Sequence, residues 1–166
     1  MDRKLKDLAR FKEQMYLVSI DIREKYIERA INKIEEIIQH HPDRAEPHYE
    51  LGRLAYIHSN IQEAEEHFKK ALAIDEEFFP SYTQYALVLI KGKRFSEAEK
   101  LLNKSKNLQN KEDSEIYFYL GLLYQHQKLV DQAIAAYQDA LCYSLSIENA
   151  TSAMKFIEVC EALKTK

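Results

Sequence analysis

The chain has 166 residues with a net charge of −3 and a pI near 6.1, and 46% of its residues are hydrophobic. This composition predicts one soluble globular domain and argues against a nucleic-acid binder, which would show a basic stripe. Its first residues are too charged for a signal peptide, and its longest apolar run, Tyr85 to Ile90, is far shorter than a membrane span. We therefore expect a cytoplasmic protein without membrane insertion.

The first predicted helix runs from Phe11 to Arg23, and a second helical pattern begins at Ile27. No Gly or Asn marks a turn near Lys25, and the sequence from Asp21 to Glu24 fits a capping box that would start the second helix early. A hairpin and one long rod therefore stay open. The apolar residues of the first helix recur at spacings of three and four, as in a coiled-coil seam; they are Leu8, Phe11, Met15, Val18 and Ile22.

Three helix pairs follow at a period of 34 to 35 residues, over 45–78, 79–113 and 114–147. Each pair has a small residue in its first helix and an alanine twelve residues later: Gly52 and Ala64, Ala86 and Ala98, Gly121 and Ala133. Antiparallel helices approach closely only where one side chain is small, so these positions are interpreted as structural. The third glycine, Gly92, is assigned to the turn of its hairpin.

The last predicted helix covers 148–164 and begins after Ser146, which can serve as its N-cap. One apolar stripe is predicted along it, formed by Ala153, Met154, Ile157 and Cys160. A terminal repeat exposes a hydrophobic face that needs a cover, so this segment is interpreted as a capping helix.

The third helix pair carries the most specific motif in the chain. It reads Tyr117-x2-Leu120-Gly121-x2-Tyr124, followed by Ala133-x3-Tyr137, and it resembles the signature of the tetratricopeptide repeat (TPR) family. The resemblance implies an all-α fold, a right-handed α-solenoid of antiparallel helix pairs, with a single TPR domain over 1–166. It also makes 11–44 a degenerate first repeat, in which Val18 replaces the small residue and Asp21 the aromatic one.

Residues that could carry chemistry do not form a recognisable site. The six histidines and two cysteines lack the spacing of a metal site, and there is no phosphate-binding loop or nucleophile motif. We therefore expect no cofactor, no metal and no enzymatic activity.

The TPR resemblance implies that the first helix of each pair lines a concave groove, which receives a peptide or helix of a protein partner. Helical spacing places a mostly apolar stripe there. The partner-binding residues expected on or beside this stripe are Tyr49, Arg53, Tyr56, Thr83, Leu87, Ile90, Lys91, Phe118, Leu122 and Gln125. The Lys and Asn clamp by which some TPR proteins hold chaperone tails is missing, since Tyr49, Arg53 and Gln84 stand at its first positions.

The sequence thus predicts a non-catalytic scaffold or adaptor that binds an apolar or amphipathic segment with micromolar affinity. One alternative is a chaperone for hydrophobic partners, similar to those of bacterial secretion. Another is self-assembly, with the first helix forming a homodimer. That helix could instead cover the groove or form repeat one, and the stripe could pack within the chain itself.

Overall fold

The computed structural model of the chain describes residues 3–108, 113–144 and 147–164. In these ranges the regular secondary structure consists of nine α-helices and no strand, so the predicted all-α class is confirmed. The helices are α1 (Arg3–Arg23), α2 (Ile27–His40), α3 (Glu46–Ile57), α4 (Ile61–Ile74), α5 (Phe79–Lys91), α6 (Phe95–Leu108), α7 (Ser114–His126), α8 (Val130–Cys142) and α9 (Ile147–Lys164).

The chain divides into two compact units, one ending at Phe78 and the other beginning at Phe79. The first unit contains α1 to α4 and the second contains α5 to α9. The division falls where the sequence places a boundary between repeats. The assignment of 1–166 to a single domain stays a prediction.

The same type of tight turn connects the two helices within each of four pairs, which are α1–α2, α3–α4, α5–α6 and α7–α8. One residue of each turn has a positive φ, and these residues are Lys25 (64°), Ser59 (63°), Lys93 (60°) and Lys128 (62°). The amide that follows each of them donates to a carbonyl five residues earlier, at 2.8–2.9 Å. This is the Schellman arrangement, which satisfies the last carbonyls of a helix.

The turn at Lys25 decides between the two interpretations of the N-terminal region. The amide of Tyr26 donates to the carbonyl of Asp21 at 2.8 Å, so α1 ends in a hairpin and the rod is excluded. The proposed capping box is also wrong, because Asp21 lies inside α1 and α2 starts only at Ile27. The missing glycine does not prevent the turn, since Lys25 itself adopts the left-handed conformation. Gly92 has no such role, as the positive φ in its turn belongs to Lys93.

The close crossing inside each helix pair involves two residues that are sixteen apart in sequence. A Cβ added to Gly52 would lie 2.7 Å from the Phe68 ring, and one added to Gly121 would lie 2.5 Å from the Tyr137 ring. The other two pairs carry a larger first residue and a smaller second one; they are Ala86 with Leu102 and Val18 with Ile34, all buried. Space at the crossing is therefore shared between the two positions, which explains how the first repeat tolerates Val18.

The apolar seam of α1 is used inside the first unit. Phe11 and Val18 are buried in one cluster with residues of α2 and α3, and Leu8, Met15 and Ile22 pack against this cluster. A homodimer built on this seam would have to expose that cluster, so the seam is not an available dimerisation surface in this structure. The helix forms the first half of repeat one, as the degenerate-repeat interpretation expects.

Asp21 occupies the aromatic position of the first repeat and is fully buried. Its carboxylate is 2.6 Å from the Arg29 guanidinium and 2.6 Å from the Lys33 ammonium, both on α2. Hydrogen bonds from Lys33 and Arg29 lower the pKa of this carboxyl group. Two ion pairs between α1 and α2 thus replace the apolar contact that an aromatic side chain makes in a regular repeat.

Helix α9 packs on the last helix pair of the second unit, with Ala153 and Cys160 fully buried. Phe156 and Ile157 pack against the cluster formed by α8 and Cys160. The predicted stripe is wrong at Met154, whose side chain is 53% exposed. Phe156 packs against the cluster instead of Met154, because the buried face of α9 is rotated around the helix axis relative to the predicted stripe. The proposed N-cap, Ser146, lies outside the described residues.

The strained turn residues allow a direct test of the hairpin geometry. Lys128→Gly is expected to raise the free energy of unfolding by about 1 kcal/mol, since a left-handed conformation costs a residue with a Cβ about that much. Urea unfolding followed by circular dichroism measures the change. The control Lys128→Ala removes the same side chain but keeps the Cβ, so its stability should stay close to wild type. Equal stabilisation by both changes would contradict the assignment.

Candidate functional site

The first unit has two adjoining clefts on the side where α1 faces α3, of about 460 and 250 Å³. Met15 and Glu50 line both clefts, which makes them one continuous surface. We call this surface the α1–α3 face. Its lining residues are Phe11, Lys12, Met15, Tyr16, Val18, Ser19, Ile22 and Arg23 of α1, Glu46, Tyr49, Glu50 and Arg53 of α3, and Phe78.

Two predicted partner-binding residues, Tyr49 and Arg53, lie on the α1–α3 face and are held in place by their neighbours. The Tyr49 ring lies edge to face with the Phe78 ring, with 5.5 Å between their centroids. The Arg53 guanidinium lies 5.7 Å from the centroid of the Tyr49 ring. Arg53 also donates to both carboxylate oxygens of Glu50, at 3.0 and 3.2 Å. These contacts hold an aromatic ring beside a cation on the α1–α3 face.

Helix α1 contributes residues to this face that the sequence interpretation missed. Tyr16 is 62% exposed, the largest exposure of any aromatic side chain on the face, and Lys12 and Arg23 add positive charge at the rim. The signal was present in the sequence, because Tyr16 is an aromatic residue that lies off the buried seam of α1. The third predicted residue of this unit, Tyr56, is half-buried and is not among the described residues that line either cleft.

In the second unit the predicted stripe is mostly engaged within the chain. Thr83 and Ile90 are each 2% exposed, and the Thr83 hydroxyl donates to the Pro80 carbonyl at 2.9 Å. These two side chains therefore offer no surface to a partner, and the predicted stripe loses both positions. Leu87 and Leu122 are half-buried, while Lys91 is exposed.

Phe118 and Gln125 are half-buried and have partners of their own. The Phe118 ring contacts Phe156 of α9 at 5.4 Å, edge to face, and Tyr137 at 5.5 Å. The Gln125 side-chain carbonyl accepts a hydrogen bond from the Tyr137 hydroxyl at 2.8 Å. Phe118 nevertheless borders a cleft of about 430 Å³, together with Asp113, Ser114, Glu115, Tyr119, Ala140 and Ser152.

Gln84, which stands at one position of the missing chaperone clamp, takes part in a hydrogen-bond network between α5 and α7. The Gln84 amide of α5 donates to the Glu115 carboxylate at 2.8 Å and to the Tyr119 hydroxyl at 3.1 Å, both on α7. This network stabilises the packing of α5 on α7.

Two further observations concern other kinds of site. Over the described ranges, no group of three or more His, Cys, Asp and Glu side chains is arranged to hold a metal ion. None of the helices in those ranges is both long and apolar enough to span a membrane.

Two histidines of the first unit form a close pair between α3 and α4. Nδ1 of His48 lies 3.3 Å from Nδ1 of His67, so one of these nitrogens carries the shared hydrogen, and the rings are stacked. Burial lowers the pKa of both side chains, and the charge of Lys70 lowers it further. For His67 the carboxylates of Glu63, Glu66 and Glu35 act in the opposite direction. The pair is therefore stable mainly in its neutral form.

This pair predicts a pH dependence of folding. Because the pKa of each imidazole is lower in the folded chain, the unfolded chain takes up protons first, and stability falls as the pH drops through about 6.5. Urea midpoints at pH 8 and pH 5.5 should show the loss, and the double change His48→Gln, His67→Gln should reduce it. His40→Gln, which removes an exposed imidazole, should keep the wild-type difference. A rise in stability on acidification would contradict the prediction.

Comparison with known proteins identifies the repeat. The sequence matches one family model, described as the middle TPR-like domain of cilia and flagella-associated protein 70, over residues 5–146. The match therefore spans most of the chain, including α1 and α2. No curated protein matches the sequence significantly.

Several solved structures share the fold at low sequence identity. PilF of Pseudomonas aeruginosa has a TM-score of 0.81 at 20% identity, over 93% of this chain and 69% of that one. Yeast Tom70 has a TM-score of 0.78 at 16% identity. The match covers 93% of this chain but only 34% of the Tom70 chain. YrrB, described as a TPR protein with an unusual peptide-binding site, has a TM-score of 0.64 at 20% identity, over 79% of this chain and 66% of YrrB. The predicted TPR fold is confirmed by these likenesses.

Proposed function

The chain belongs to the family of the middle TPR-like domain of cilia and flagella-associated protein 70, and from this premise we propose that it is a non-catalytic protein-interaction module. TPR-like domains typically mediate contacts between proteins. The α1–α3 face of the first unit binds an apolar or amphipathic segment of another protein. Tyr49 and Arg53 are the residues of the sequence-derived stripe that take part, and Tyr16 joins them.

The observation that carries this proposal is the exposed Tyr16 ring on the same face as the anchored Tyr49 ring. An exposed aromatic beside a half-buried one, with Met15 between the two clefts, offers apolar area that water covers in the free protein. Burying one such side chain contributes roughly 1.5–3 kcal/mol. Three of them contribute roughly 5–9 kcal/mol against an association cost of about 4–15 kcal/mol, so we expect these side chains alone to give binding in the millimolar range or weaker.

The charges at the rim favour an amphipathic segment over a purely apolar one. Lys12 and Arg23 of α1 line the clefts together with Glu46 of α3, while Glu50 and Arg53 already pair with each other. A bound helix can therefore direct polar side chains of either sign to the rim and apolar ones to Tyr16 and Tyr49.

Selection of phage-displayed peptides against the full chain, followed by fluorescence titration of the best peptide, tests this proposal. Tyr16→Glu is expected to weaken binding at least ten-fold, because it places a charge in the apolar contact. The control Met154→Glu changes a side chain of similar exposure in the second unit and should leave the affinity unchanged. Equal affinities for the wild type and Tyr16→Glu, with both folded by circular dichroism, would overturn the assignment of this face.

A further inference from the structure

The first unit has a further cleft, of about 550 Å³, on a different side of α3. One wall comes from α2, with Ile31, Glu35, Ile38 and Gln39, and the other from the α4 side, with Asn60, Glu63 and His67. Helix α3 supplies Leu51, Leu54 and Ala55, and His58 follows its end. We call it the α2–α4 cleft. Since successive helical residues turn by about 100°, Leu51 and Ala55 lie on the side of α3 roughly opposite to Tyr49 and Arg53. The cleft is therefore separate from the α1–α3 face.

The α2–α4 cleft has an apolar floor and a polar rim. Leu51, Leu54 and Ala55 form a buried floor. At the rim, the carboxylate of Glu35 and the amide of Gln39 are exposed on α2, opposite the exposed Glu63 at the start of α4. Such a cavity suits a ligand group with an aliphatic body and a polar head.

The charge of the rim indicates the sign of that head. Among the described residues that line the cleft, two are carboxylates, Glu35 and Glu63, and none is Lys or Arg. One Glu63 oxygen accepts from the Asn60 amide at 2.5 Å, and the other lies 4.0 Å from Nε2 of His67. Burial and the charge of Lys70 lower the pKa of His67, while the carboxylates of Glu63, Glu66 and Glu35 raise it, so Glu35 and Glu63 both act on a residue that lines the cleft. The rim thus favours a cation.

We propose that the α2–α4 cleft is a second protein-binding surface, and that it takes a lysine or arginine side chain from a partner segment with aliphatic neighbours. The stem of the side chain lies over Leu54 and Ile38, and its charged head lies between Glu35 and Glu63. Lysine and arginine combine an apolar stem with a cationic head, as the floor and the rim require. This proposal goes beyond binding at the α1–α3 face and does not depend on it.

Methyl NMR titration of the full chain with the peptide acetyl-Leu-Lys-Leu-amide tests the proposal. Saturable shifts are expected at the methyl groups of Ile31, Ile38 and Leu54, with a dissociation constant in the millimolar range for so short a probe. Affinity should fall at least five-fold in the double variant Glu35→Gln, Glu63→Gln. The matched control Glu28→Gln, Glu36→Gln removes the same charge from exposed positions of α2 and should bind like the wild type.

Three outcomes would overturn the inference. The first is equal affinity for a peptide with norleucine in place of lysine, which would show that the cation is not recognised. The second is an equal loss of peptide affinity in both double variants, which would show that the affinity depends on the net charge of the protein and not on Glu35 and Glu63. The third is spermidine binding at least as tightly as the peptide, which would assign the cleft to free polyamines. Because Tyr16→Glu leaves this cleft intact, failure here and failure at the α1–α3 face are distinguishable.

Discussion

Gly121→Ala is expected to lower the free energy of unfolding of the second unit by about 1–3 kcal/mol, the usual effect of overpacking a core. The added methyl group would lie 2.5 Å from the ring of Tyr137, which is fully buried between helices and cannot move aside. Alanine is the better helix former by about 1 kcal/mol, so the clash must exceed that gain. Urea unfolding monitored by far-ultraviolet circular dichroism measures the difference.

Two comparisons isolate the crossing as the cause. Gly92→Ala adds the same methyl group where its nearest neighbour is 3.5 Å away, so stability should be unchanged or higher by about 0.4–1 kcal/mol. Adding Tyr137→Leu to Gly121→Ala recreates the Ala86 and Leu102 combination of the preceding pair. The double variant should therefore lose less than the sum of its single changes, and strict additivity would contradict the shared-space explanation.

Phe156→Ala is expected to destabilise the second unit by about 2 kcal/mol, less than the 3–5 kcal/mol of a fully buried phenylalanine. Its ring contacts the rings of Phe118 at 5.4 Å and Tyr137 at 5.3 Å, and it is only half-buried. The same unfolding measurement applies. A wild-type midpoint for this variant would show that α9 does not stabilise the last helix pair.

Met154→Ala is the matched control, because Met154 lies two residues away on the same helix and is 53% exposed. Surface changes of this kind stay within about 0.5 kcal/mol. Together the two variants test which face of α9 covers the repeat. A larger loss for Met154→Ala would restore the stripe that the sequence alone predicted.

The error at Met154 has a plain physical origin. Residues 153 and 154 are neighbours, so their side chains point about 100° apart on the helix, and both fit a loose apolar stripe. Only the packing of α9 on α8 fixes the rotation of α9 about its own axis. In that orientation Ala153 and Cys160 are buried and Met154 is exposed to solvent. A helix with apolar residues on several sides does not specify its own rotation.

The predicted binding stripe shows the same limit. Tyr49 and Arg53 line the α1–α3 face, and their role in binding stays a prediction, but helical spacing gave no information on what covers each residue of the stripe. Thr83 and Ile90 are buried, and Phe118 packs against Phe156. Conversely, Tyr16 lines the α1–α3 face but is not part of the predicted stripe, because α1 departs from the repeat motif.

The sequence by itself determined the three later helix pairs, their period and the small residues at their crossings, because two helices approach closely only where one side chain is small. It also determined the family, since that pattern is the family's motif. Tertiary structure decided how α1 is used, how α9 is rotated and which stripe residues remain open. These outcomes depend on contacts between helices that are distant in sequence, and no spacing within one helix encodes them.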